Sequence, residues 1–179
     1  LNYKITRLYA LYLERFPEII TKEMIDTLCD DGQIDKKSAI VALLCEIFGI
    51  DAEKSSEDRQ LIREYLTPSV RILNAEKYRN NSYYKNINIP SIKDGAWEFK
   101  FESYPAYRGV ICHDMMLYPD MKEIPPLGFF CEDFSFPAVL ENGNEWMTLT
   151  PVDLDTCEDA IEQAHGKVIT ASTSSLLST

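Results

Sequence analysis

Few residues in this chain are of a type and spacing that could do chemistry. His113-Asp114 and Glu132-Asp133 concentrate titratable groups in its second half. Brought together across a sheet, they would make a metal or acid/base site. Solvent-facing positions beside turns are the commoner meaning of such pairs. Cys112 and His113 are adjacent, so in a strand they face opposite sides and do not form a nucleophile and its base. Asp26 to Gln33, with Asp35, gathers oxygen ligands. A calcium loop, however, needs donors where Leu28 and Cys29 stand, and a terminal glutamate that is missing. That segment reads as a helix end and a turn. Phe129, Phe130, Glu132 and Phe134 lie in a proline-stiffened aromatic stretch, Pro125 to Phe136. They are the candidate lid or ligand contacts, with a place in the core as the alternative for the phenylalanines. No catalytic, cofactor-binding or metal-ligating residue is assigned.

Composition bounds what these residues can serve. The chain has 179 residues, room for one full core or two small units. Its formal charge of −11, from 18 basic and 29 acidic residues, argues against a nucleic-acid surface, which needs a basic patch. No apolar run is long enough for a membrane span. Leu8 to Phe16 is broken by Glu14 and Arg15, so no leader peptide is expected. Five cysteines without a CxxC pair fit neither a disulfide framework nor a zinc site. Free thiols in a reducing cytoplasm are the simplest account, and cytoplasmic is the expected location.

The positioning elements divide in two. Tyr3, Ile5, Leu8, Leu11, Tyr12 and Phe16 recur at helical spacing up to Pro17. Ile19, Ile20, Met24, Ile25 and Leu28 make a second amphipathic stretch closed by Asp30-Asp31-Gly32. Lys36 to Phe48 is apolar throughout and stops at Gly49, which makes it the centre of a small bundle. Ser55 and Ser56 open a fourth helix that Thr67-Pro68 closes. A tyrosine- and asparagine-rich connection follows from Val70 to Asn88. Trp97, Phe99 and Phe101 then alternate with Glu98, Lys100 and Glu102, the period of a strand. Further strands are expected in Tyr107 to Met116, Leu127 to Cys131, Phe134 to Leu140 and Trp146 to Leu149, with Pro119 to Pro126 as a loop. Asn142-Gly143-Asn144 marks a tight turn.

Thr150 to Thr170 reads as a capped helix, a glycine stop and a buried strand, the way a nucleotide-binding βαβ unit often opens. Thr150, Asp153 or Asp155 can cap the helix. Leu154, Cys157, Ile161 and Ala164 are spaced as one apolar stripe. Gly166 is the stop, and Lys167-Val168-Ile169-Thr170 is a β-branched run of the kind a central parallel strand uses, with a simple edge strand as the alternative at this length.

Several motifs together carry a resemblance: Tyr104-x-x-Tyr107, Cys112-x-Asp114, Pro125-Pro126-Leu127-Gly128-Phe129-Phe130, Phe136-Pro137-Ala138-Val139, Glu145-Trp146-Met147-x-Leu149-x-Pro151 and Ala164-His165-Gly166-Lys167-Val168. Over about residues 70 to 170 the chain resembles a group of bacterial class I S-adenosylmethionine-dependent methyltransferase-like proteins. The resemblance implies a Gly-x-Gly-x-Gly turn after the Gly-Lys-Val strand, followed by an acidic residue that holds the cofactor ribose. Here residues 171 to 179 (ASTSSLLST) contain no glycine. No cofactor residue carries over.

The expectation is therefore an α+β chain. Residues 1–69 form a small helical bundle, and 70–150 a small, mostly antiparallel β-region. Residues 151–170 form a helix and strand leading to a Rossmann-like domain, and 171–179 a non-native-looking or disordered tail. The functional expectation is the N-terminal cap or substrate region of a methyltransferase-like protein, inactive as this fragment. No cofactor is expected in the fragment, and S-adenosylmethionine is expected for a full-length relative. The alternative is a stand-alone, non-enzymatic interaction or scaffold domain. No nucleic acid and no membrane are expected. A small-molecule substrate of the full-length form and a homodimer are the partners to test.

Overall fold

The computed structural model describes residues 2–87, 90–112, 116–117, 123–124, 126–163 and 165–166. Helices stand where the helical spacing puts them. These are α1 (Asn2–Arg15), α2 (Lys22–Gly32), α3 (Lys36–Phe48) and α4 (Ser56–Leu61). Each boundary has a local cause. Thr21 Oγ1 accepts from Met24 N–H, Asp35 Oδ1 from Ser38 N–H and Ser55 Oγ from Asp58 N–H. These side chains satisfy amides that have no partner within the helix. The residue that turns left-handed after α2 is Gln33 rather than Gly32, and Gly49 does so after α3. Ile5, Leu8 and Tyr12 of α1 pack with Ile25 of α2, with Ala39, Ile40 and Leu44 of α3, and with Leu61 and Leu66 in one core.

Thr67-Pro68 does not close the fourth helix. The chain passes through a π-helical turn, Ile62–Leu66, into α5 (Thr67–Ser69). Proline has no N–H to donate to the carbonyl four residues back. The turn widens instead, and Thr67 N–H donates to Ile62 O, five residues back.

The second half follows as β1 (Val70–Leu73), α6 (Ala75–Arg79), α7 (Ser82–Asn86), β2 (Ile92–Asp94), β3 (Trp97–Tyr104), β4 (Gly109–Ile111), β5 (Met116–Leu117), β6 (Glu123–Ile124), β7 (Leu127–Phe130), β8 (Phe134–Glu141), β9 (Asn144–Thr148) and α8 (Pro151–Gln163). Among the described residues three sheets form, ordered β1-β7-β4, β2-β3-β8-β9 and β5-β6. All described pairings are antiparallel except β1 with β7. The chain is α+β. The run Lys167 to Thr170 and the tail 171–179 lie outside the described residues.

Details depart from the spacing. β1 and two short helices occupy the stretch read as a connection. Of the strand expected over Tyr107 to Met116, the start is delayed to Gly109, because Tyr107 takes a left-handed backbone with φ 62°; Gly109–Ile111 and Met116 are strand, and residues 113–115 lie outside the described residues. The Tyr107 N–H donates to Phe130 O at 2.8 Å. The two residues of β6 pair with β5 inside the expected loop, ahead of Pro125-Pro126. The β8–β9 hairpin turns on Asn142 and Gly143, both at positive φ, as the twist of a tight hairpin requires.

The helical core runs on into the first sheet, through Val70, Tyr107, Leu127 and Phe129. A second core joins Ala75, Tyr78, Phe130, Phe134, Phe136 and Leu154. β7 lies between β1 and β4, and it can do so because residue 128 is glycine. A Cβ there would stand 2.6 Å from both Cys112 Cβ and Leu73 Cδ1.

Asp58 clasps the helical unit. Its buried carboxylate pairs with Lys4 Nζ of α1 and accepts from Asp51 N–H at 3.0 Å. The hydrogen bond and charge of Lys4 hold its carboxyl below the usual aspartate range. A depressed carboxyl contributes stability above the ordinary value of about 3.9, and that contribution is lost as pH falls toward the lower folded value. Lys4 is 43% exposed and stays hydrated when its partner is removed, so the loss is smaller than for a fully buried pair. Asp58→Ala is expected to cost about 1–3 kcal/mol in urea unfolding at pH 7. At pH 3 the gap to the parent should shrink; a gap unchanged with pH would show that the carboxylate charge is not what clasps.

Candidate functional site

The aromatic stretch that sequence singles out is packed and fastened. Phe129, Phe130 and Phe134 are all buried. The rings of Phe130 and Phe134 stack at 4.3 Å with 7° between planes. Tyr78 meets both edge-on, at 5.7 and 5.9 Å, and Tyr84 covers Phe134 at 5.8 Å. Glu132 is exposed at the β7–β8 turn, where it takes Arg79 Nη1 at 2.6 Å. Arg79 Nη2 also donates to Asp133 O at 3.0 Å, and Ala106 N–H donates to Asp133 Oδ1 at 2.9 Å. In this arrangement the phenylalanines are core, and Glu132 alone of the four candidates faces solvent. His113 and Asp114 lie outside the described residues, and so does their meeting with Glu132 and Asp133.

Helix α8 is held on the same core. Thr150 N–H and Oγ1 both donate to Asp153 Oδ2 at 2.7 Å, a box that starts the helix. Leu154 is buried beneath it. Tyr78 Oη donates to Asp155 Oδ2 at 2.7 Å, and Lys77 Nζ pairs with Asp155 at 3.1 Å and Glu158 at 3.5 Å. These contacts set the helix rotation. Asp155 and Glu158 turn toward α6, and Cys157, placed on the apolar stripe by its spacing, is exposed instead. Burial and the Asp155 carboxylate push the Tyr78 phenol upward, so it stays a donor at neutral pH. Tyr78→Phe is expected to cost about 1.5–3 kcal/mol, the range for a hydrogen bond to a charged group. Hydrogen exchange should show α8 amides losing protection while α3 amides keep theirs; equal loss in both would place the bond in global rather than local stability.

Other polar clusters are spent on structure. A groove of about 730 Å³ is lined by Cys45, Gly49, Asp51, Lys54, Asp58 and Ile62, among others. Asp51 Oδ2 pairs with Lys54 at 2.8 Å while its Oδ1 accepts the Glu53 and Lys54 amides. Asp58 is committed to Lys4. Burial pushes the Cys45 and Cys112 thiols up to about 11, so neither is a thiolate at neutral pH. Among the described residues no group of three or more His, Cys, Asp or Glu could hold a metal ion, and no helix is long and apolar enough to cross a membrane.

Among the described residues, one face of a sheet is not covered by another element. In the β2-β3-β8-β9 sheet the register sets Ile92, Phe99, Val139 and Met147 in one row, and Asp94, Trp97, Glu141 and Asn144 in the next. Phe101 and Pro137 continue the same face. The β8–β9 register slips between Val139 and Leu140, which leaves Trp146 as an extra residue. Such bulges re-aim a side chain, and here Trp146 meets Trp97 edge-on at 5.6 Å and 88°. Ile92, Trp97, Phe101, Trp146 and Met147 are 43–53% exposed, which is uncovered rather than core. The opposite face carries the buried Phe134, Phe136, Ala138 and Leu140. The alternation of Trp97, Phe99 and Phe101 thus marks the strand, but its apolar side is the solvent side. Trp146 and Met147 went unnoticed in sequence as members of this face; an aromatic strand with no second apolar layer to meet it was the available signal.

No protein-family model matches the chain, and no match is found among curated proteins or solved structures.

Proposed function

We propose that the chain is the N-terminal cap or substrate-side region of an S-adenosylmethionine-dependent methyltransferase-like protein, without activity as the fragment of residues 1–179. The observation that carries this reading is the clamping of α8. The Tyr78–Asp155–Lys77 contacts and buried Leu154 aim a helix of fixed rotation at Gly166, which has φ 73°. In sequence the run Lys167 to Thr170 comes next, the composition of a central strand. A cofactor domain joined there would be held against the aromatic core.

The residues present do not themselves fit the cofactor. All seven glycines stand singly in the sequence. Gly109 and Gly128 are filled against by Tyr12 and by Leu73 with Cys112. No pair of glycines offers the close backbone approach that a nucleotide turn needs. The test is equilibrium dialysis with labelled S-adenosylmethionine. The product of the gene read through past residue 170 should retain the cofactor, while residues 1–179 alone should not. Failure of the longer product to retain it would contradict the reading.

A second reading, a non-enzymatic interaction domain, is favoured by the uncovered Trp97–Trp146 face, since soluble chains seldom expose a contiguous aromatic patch without a partner for it.

A further inference from the structure

The exposed face of the β2-β3-β8-β9 sheet is largely apolar and one-sided in charge. Its apolar members are Ile92, Trp97, Phe99, Phe101, Trp146 and Met147. Its ionisable members are Asp94 and Glu141, which flank Trp97 in the same row across the sheet. Neither carboxylate forms an ion pair with another described residue. The cations of these four strands, Lys93 and Lys100, pair in register with Glu98 and Ala138 and so point to the opposite side. There they are matched to Glu98 at 3.7 Å and Glu102 at 2.6 Å. The face therefore offers Trp97 between two unmatched carboxylates, with the Trp146 ring at right angles to it and no cation from these four strands.

We propose that this face docks a segment of another protein that carries lysine or arginine beside apolar side chains. The chemistry is complementary on both counts. A cation set over the face of Trp97 or Trp146 gains from the ring quadrupole and from the adjacent carboxylates. Apolar neighbours of that cation would cover Phe101, Ile92 and Met147, which now face water. A second copy of the chain is a poor occupant, because each copy brings a formal charge of −11 and the same two carboxylates. This inference goes beyond both readings of the function and depends on neither.

The chain carries its own probe. Its two tryptophans, Trp97 and Trp146, both lie on this face, so fluorescence excited at the red edge, where the ten tyrosines do not absorb, reports on it. The experiment titrates the full chain with a short synthetic peptide alternating lysine and valine, and with its glutamate–valine counterpart. The expected result is a saturable blue shift with the lysine peptide alone, weakened by added salt. The double variant Asp94→Asn, Glu141→Gln leaves every buried side chain in place and should weaken binding about tenfold. Trp146→Ala, checked for retained circular dichroism, should abolish most of it. No saturable shift would overturn the proposal. So would equal binding of the acidic peptide, binding untouched by the double variant, or sedimentation of the free chain as a dimer that Trp146→Ala dissolves.

Discussion

Phe134→Ala is expected to cost about 3–5 kcal/mol, the range for deleting a buried aromatic ring. The ring is fully buried, stacked on Phe130 at 4.3 Å and bordered by Tyr78 and Tyr84. It joins strands β7 and β8 to helices α6 and α7, so no single neighbour can move in to close the void. For a chain of this length each kcal/mol moves the melting temperature by about 2–4 °C, so the loss should be roughly 6–20 °C. The same experiment decides between lid and core for the candidate residues Phe129, Phe130, Glu132 and Phe134. A core ring gives this large loss. A cost below about 1 kcal/mol with the fold intact would place the ring on a movable segment. Glu132→Ala, by contrast, removes an exposed ion pair to Arg79 and should change stability by no more than about 1 kcal/mol.

Gly109→Ala should be nearly as costly for the opposite reason. An added Cβ would stand 2.2 Å from Tyr12 Cε1 and 2.8 Å from its hydroxyl oxygen. The tyrosine cannot step aside cheaply. Its ring lies edge-on to Phe48 at 6.3 Å and tilted on Phe129 at 6.2 Å, and its hydroxyl donates to Pro17 O at 3.2 Å. Gly109 N–H donates to the same carbonyl at 2.7 Å, so moving the strand away breaks a second bond. Overpacking of this kind costs about 1–3 kcal/mol, and the lost hydrogen bond adds about 1. Urea unfolding of Gly109→Ala and of Gly109→Ala with Tyr12→Leu makes the check. The second substitution should restore part of what the first removes, and two strictly additive losses would mean that the clash is relieved elsewhere.

Much of the helical unit was legible because its signals are local. The apolar stripes of α1 and α2, the apolar run of α3, the serines that open α4 and the stop at Gly49 need no knowledge of distant partners, whereas the cap at Asp35 was not read from sequence. What could not be read depends on contacts far along the chain. Val70 to Leu73 becomes a strand only because Leu127 to Phe130 lies beside it, fifty-odd residues away. The wider turn that carries the helix past Pro68 is a compromise between a missing donor and the burial of Tyr65 and Leu66. On α8, spacing put Cys157 in the apolar stripe, and the acidic partners of Lys77 rotated it out. On β3, a period of two names the strand but not the buried side. That side was decided by Phe134 and Phe136 packing with Tyr78 and Leu154 of the helices behind them. The candidate site was legible as an aromatic loop with core packing as one of its two readings, but the stacking of Phe130 on Phe134 and the hold of Arg79 on Glu132 were not. The charge-flanked tryptophan face needed the sheet register to appear at all.

The reading of α8 as the approach to a cofactor domain is tested most directly by the nucleotide sequence downstream of codon 170, translated in all three frames. The expected result is that one frame continues the Lys167 to Thr170 run into a Gly-x-Gly-x-Gly turn, a helix and alternating strands. If no frame contains such a turn, the cap reading is contradicted, and the Trp97–Trp146 face becomes the place to look for what this chain does.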